Sequence, residues 1–200
     1  EFCKMTAEML KERFDTPYLR PKMGAPVGYP ATRSFVKEVA DMMNVDPIPA
    51  LEMIDREAED VHKVLMNYER IPMSLHAKGL GIKGDSSVVY PLMMWMMETF
   101  GMAPRHIETT DDEYLPEIKC FLERYGFEQA LEGIEGDIEA VFTDGLTALE
   151  GRMRNSTTGH VEICLPRGRS MDLMGRTVIG TAGCRYLLDE LFNNMIRFRC

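Results

Sequence analysis

From residue 79 onward the chain alternates short apolar runs with longer amphipathic ones, and Gly, Asp, Glu or Pro punctuates the end of each short run. The short runs cover 79–83, 104–108, 138–143 (IEAVFT) and 160–165 (HVEICL). The longer ones cover 86–100, with Gly101 placed as a C-cap, 113–125, stopped by Gly126, and 183–198. A helix between successive strands carries the chain back along the sheet, so the strands run parallel and both faces need cover. The pattern predicts an α/β unit with a doubly wound, Rossmann-like, mainly parallel sheet of four or five strands, with helices on both faces.

The first 70 residues read differently. Helical spacing covers 4–14, where Met5, Met9, Leu10 and Phe14 share one side, and 32–43, where Phe35, Val36, Val39, Met42 and Met43 form the stripe. Between them, 16–29 is rich in Pro and Gly and reads as an irregular connection. Pro49 sits near the start of a long helix over 50–68, with stripe Leu51, Ile54, Ala58, Val61 and Leu65 and an otherwise charged, solvated surface. This gives a helical lead-in over 1–70 that belongs to or packs on an α/β domain over 71–200. The chain opens on Glu1, without an initiator Met, and is expected to be a fragment of a longer protein.

Charge and cysteine usage narrow the function classes. A net charge of −9, with Lys and Arg scattered, offers no footprint for nucleic acid or an anionic membrane. The longest apolar run, 88–97, is far below the ~20 residues that span a bilayer. The N-terminal segment is too charged and periodic for a signal peptide. The five cysteines, at 3, 120, 164, 184 and 200, form no CxxC pair. Reduced thiols in a soluble, cytoplasmic protein are the expectation.

Several constellations could carry chemistry. Gly79-x-Gly81-x-x-Gly84 matches the GxGxxG fingerprint, with Glu108 at the end of the next strand for a ribose, which would make a stand-alone NAD-binding dehydrogenase domain. The stretch before it, MSLHAK, is a poor buried strand, and Gly79 to Lys83 then reads as the strand itself. Gly84, Asp85 and Ser86 open the following helix. They serve as an N-cap, and they could hold an anion through free amides. Asp85, Thr109, Asp144 and Arg167 all follow strands and should share the carboxyl edge of the sheet, where such folds bind ligands. Arg167 and Arg169, with Arg176, form a Gly-rich basic loop that is either solvated or suited to an anionic group or a partner subunit. His106 and His160 fall in strands expected to be central, as hydrogen-bonded core residues. Cys184, near a helix start, is either structural or activated. No nucleophile elbow is present, and the cysteine spacing does not suggest a cluster.

The order and wording of four segments resemble nitrogenase component 1, in particular its β-type subunit. They are PVGYPATRSFVKEVADMM (26–43), PIPALEMIDREAEDVHKVL (47–65), GIKGDSSVVYPLMMWMMETFGMAPRHIET (81–109) and EICLPRGRSMDLMGRTVIGTAGCRYLLDELFNN (162–194). Together they span most of 17–198. Asp85-Ser86-Ser87 stands where the family usually carries Asp-Pro-Asp. Ser170 stands ten residues before Gly180, where the family's catalytic α-type subunit places a His ligand. The family's cluster-ligating cysteines lie in its N-terminal domain, outside this stretch. The resemblance therefore implies no metal ligand here, and no cofactor held by this chain alone. It implies an iron–sulfur cluster in the parent complex, an α-type subunit or second copy as partner, and an ATP-dependent iron–sulfur reductase as electron donor. The implied role is a domain of a reductase or of its assembly scaffold, inactive by itself; a non-catalytic interaction domain is the remaining alternative.

Overall fold

A computed structural model describes residues 2–68, 73–133, 137–154, 159–165 and 177–197. Three helices lead in: α1 (Phe2–Phe14), α2 (Tyr29–Met43) and α3 (Ile48–Met66). Then follow β1 (Gly79–Gly84), α4 (Ser86–Phe100), β2 (Ala103–Thr109), α5 (Leu115–Tyr125), a 3-10 turn (Glu128–Leu131), β3 (Ile138–Asp144), α6 (Gly145–Arg154), β4 (Gly159–Cys164) and α7 (Gly180–Arg197). Every pairing is parallel and the strand order is β2-β1-β3-β4. This is the doubly wound, Rossmann-like α/β sheet that the alternation predicts, with four strands among the described residues.

The order corrects one expectation. Among the described residues β2 and β4 are the edges, because β3 pairs with β1 rather than with β2. His106 and His160 therefore lie in edge strands, not central ones. His106 is exposed and sits 3.5 Å from Glu108. His160 is buried, and its carbonyl accepts a hydrogen bond from Asn194 of α7 at 2.9 Å.

The core follows from composition along the strands. Leu80, Ile82, Ile107, Phe142 and Val161 are buried on the sheet, as parallel strands covered on both faces require. The run from Val88 to Met97 becomes the middle of α4, which buries Val89, Leu92, Met93, Trp95, Met96 and Phe100. Phe100 meets Phe192 of α7 edge-on at 5.8 Å. α6 and the 3-10 turn lie in stretches where sequence reading placed no element.

The segment between α1 and α2 looks irregular in sequence, yet it is closely held. Pro91 lies inside α4 and has no N–H to give the carbonyl four residues back, that of Ser87. The amide of Ala25 donates to that carbonyl instead, at 2.7 Å. The approach requires glycine at 24, where φ is +77° and a Cβ would lie 2.4 Å from the Ser87 oxygen. Further along, Gly28 passes so close to Trp95 that a Cβ would come within 2.8 Å of its ring. Arg20 anchors the other end, donating to the Glu113 carbonyl at 2.7 Å and lying 4.1 Å over the Tyr114 ring. This strap also ties to α7, since Gly180 donates to the Pro26 carbonyl at 2.7 Å. α2 and α3 pack on each other, and both contact α7.

Candidate functional site

Parallel strands leave their carboxyl ends on one edge, and register places the residues there. Gly84 pairs with Thr109, Lys83 with Glu108, and Asp144 with Cys164. Asp85, Thr109 and Asp144 thus share the carboxyl edge. Arg167 and Arg169, the other two candidates, lie outside the described residues, as does Arg176.

Two carboxylates meet at the start of α4. Asp85 is the N-cap, and its side chain accepts from the Ser87 amide at 3.0 Å and the Ser87 hydroxyl at 2.5 Å. Asp111 approaches from the loop after β2. It accepts from the Ser86 amide at 2.8 Å, from the Ser86 hydroxyl and from the Glu113 amide at 3.0 Å. Ser86 is fully buried, and its Oγ in turn accepts from the Tyr114 amide at 3.1 Å. Burial alone would raise the Asp111 carboxyl; hydrogen bonds from Ser86 and Glu113 more than offset this and hold it below its ordinary 3.8. The amides of Ser86 and Ser87, which an anion would use, are engaged by these carboxylates. A ligand at Gly84, Asp85 and Ser86 would have to displace Asp85 or Asp111, or bind through the side chains themselves.

α6 repeats the device. Asp144 accepts from the Leu146 and Thr147 amides, each at 2.9 Å, and from the Thr147 hydroxyl at 2.7 Å. Burial pulls its carboxyl up, and these bonds outweigh burial and depress it. The sequence signal was present in Asp144 followed three residues later by Thr147. Asp111 had no such signal, because its partner Ser86 is 25 residues away.

Lys83 and Glu108 face each other across β1 and β2 at 2.9 Å. The hydrogen bond from Lys83 lowers the Glu108 carboxyl and raises the Lys83 amine. Both are well exposed, so the pair contributes little to stability. Glu108 is thereby engaged with Lys83. The dinucleotide fingerprint also fails on backbone grounds. Gly79, Gly81 and Gly84 all lie within β1, whereas the fingerprint needs its glycines in the turn after a strand. Packing explains the glycines at 79 and 81 instead. A Cβ at Gly79 would lie 2.1 Å from the Asp137 carbonyl, and one at Gly81 would lie 3.3 Å from Ile138.

The three cysteines whose side chains are described do not gather. Cys120 is exposed on α5, Cys164 is half-buried at the end of β4, and Cys184 is buried in α7. Burial pushes the Cys184 thiol up to about 12, so its position near a helix start does not activate it. Among the described residues, no three His, Cys, Asp or Glu side chains converge as a metal site. A cluster therefore does not fit the described side chains of this chain. No described helix is long and apolar enough to cross a membrane.

An edge of this kind, on a parallel sheet wound both ways, defines a Rossmann-like α/β domain. Comparison with known proteins narrows the class. No family model matches the chain. It is similar to one of the subunits of the light-independent protochlorophyllide reductase of Rhodospirillum rubrum, 28% identical over 145 residues, which cover 72% of this chain and 25% of the relative. A solved structure described as nitrogenase Cp1 at pH 6.5 matches with a TM-score of 0.76 and 17% identity, covering 97% of this chain and 43% of that one. In fold the chain is like the nitrogenase Cp1 structure, and in sequence it is similar to the protochlorophyllide reductase subunit. The chain spans about a quarter of the curated relative and less than half of the solved chain.

Proposed function

We propose that this chain is a scaffold domain of a nitrogenase-like component 1 reductase, or of a related cofactor-assembly protein. In this role it shapes a complex whose cluster is ligated by another part of the parent or by a partner subunit. Electrons would enter that complex from an ATP-dependent iron–sulfur reductase. The observation that carries the reading is the pairing of a component 1-type fold with dispersed thiols: Cys120, Cys164 and Cys184 stand in three separate environments. The capped, hydrogen-bonded carboxyl edge supports it too, because Asp85, Asp111 and Asp144 rigidify the helix starts there. The strap, α2, α3 and the α/β unit act in this reading as one body, joined through Ala25, Arg20 and Gly180 and through the packing of α2 and α3 on α7.

The test is iron and acid-labile sulfide, measured under anaerobic conditions in this chain and in the longest parent complex that can be recovered. The expected result is a cluster in the complex and none in the chain. Near-stoichiometric iron with thiolate-to-iron absorption in the chain alone would overturn the proposal, since its own cysteines would then have to converge.

A further inference from the structure

The chain presents two exposed apolar surfaces. One is convex. On α1, Met5, Met9, Leu10 and Phe14 are 40–70% exposed, although helical spacing sets them on one side. The other is concave. α3 and α7 bound a groove of about 730 Å³, lined by Val61, Val64, Leu65, Tyr68, Leu188 and Phe192. We propose that α1 of one copy docks in the α3–α7 groove of a second copy.

Charge and size favour this occupant. At 3.6 residues per turn, Arg13 falls between Met9 and Leu10 on the apolar side of α1. The groove's rim carries Asp60 and Asp189. Arg185, the rim's own cation, is answered by Glu57 at 3.3 Å, and Asp189 accepts from the neutral Asn193 at 2.9 Å. Asp60 is shared with Lys63 at 3.6 Å, so Asp189 is the rim carboxylate that Arg13 would meet. A helix of 13 residues is about 20 Å long, enough to cover the stretch of α3 from Asp60 to Tyr68. Connectivity favours exchange over folding back. Arg20, six residues beyond α1, is pinned at the start of α5 after edge strand β2, whereas α7 packs on β4 at the other edge. A twofold exchange makes every contact twice, which compensates for the modest size of one helix in one groove.

The test is sedimentation of the full 200-residue chain over a wide concentration range. The expected result is a dimer. Phe14→Glu and Val64→Glu each weaken it by about tenfold or more. Arg13→Glu also weakens it, and adding Asp189→Arg to Arg13→Glu restores much of the loss. All four positions are exposed, and far-UV circular dichroism checks that the variants keep their fold. A chain that stays monomeric throughout overturns the proposal, including one whose α1 is protected in its own groove. A dimer indifferent to Phe14→Glu and Val64→Glu also overturns it.

Discussion

Removing Asp111 tests whether the start of α4 is held by carboxylates. The wild-type side chain satisfies the Ser86 amide, the Ser86 hydroxyl and the Glu113 amide. Ser86 is fully buried, so water does not readily replace what is lost. A hydrogen bond to a charged group contributes about 1.5–3 kcal/mol, and a buried donor left unmade costs about 1–3 kcal/mol. These contributions overlap, because one side chain makes all three bonds and the Glu113 amide is nearer solvent. Asp111→Ala is therefore expected to destabilise by about 2–4 kcal/mol, and Asp111→Asn, which keeps the shape, by about 1–2 kcal/mol. Urea titration followed by tryptophan fluorescence measures both, since Trp95 is the sole tryptophan and lies in the core. The pH dependence supplies a second check. The folded Asp111 carboxyl lies below its ordinary 3.8. Its contribution is therefore complete above that value and disappears as pH falls through the depressed one. The gap between wild type and Asp111→Asn should be full at neutral pH and narrow below 3.8. A loss under about 0.5 kcal/mol for Asp111→Ala at neutral pH would refute the reasoning, because that is the size of an ordinary surface change.

Two further outcomes follow from the packing. Gly24→Ala should destabilise by about 2 kcal/mol or more, since it combines a positive φ with a Cβ pressed on the Ser87 carbonyl; limited proteolysis should then cut faster between Asp15 and Gly28. Among the described thiols, Cys120 should alkylate at pH 8 in the folded chain, while Cys184 should react only on unfolding. With a thiol near 12, roughly one Cys184 in ten thousand is thiolate at that pH, and the side chain is buried as well.

The division between what was legible and what was not follows the range of the interactions. Local patterns sufficed for the strands and most helices. The period-2 and period-3.6 runs, together with Asp85, Gly101 and Gly126 as caps, depend on neighbours within a turn or two, and all three caps stand where the spacing places them. Asp144 belongs to the same group, although the helix it caps is only ten residues long and carries two glycines, which weaken its helical signal. The placement of His106 was misread because strand order is a property of the whole sheet. Nothing in PRHIE distinguishes an edge from a centre. The strap was harder still. Pro91 leaves a carbonyl unpaired in α4, and Ala25, 66 positions earlier, fills it. Gly24 is a glycine for that reason, and neither segment announces the other. The same holds for Asp111 and Ser86, and for the fingerprint at Gly79, Gly81 and Gly84, whose spacing suggests a phosphate loop until the register shows them inside β1. Sequence by itself determined the four strands, most of the helices and how they alternate, because backbone propensity and apolar period are local. Only the tertiary structure decided which carboxylate meets which helix start, which thiols stand apart and which glycines admit a neighbour, because those depend on side chains brought together from distant parts of the chain.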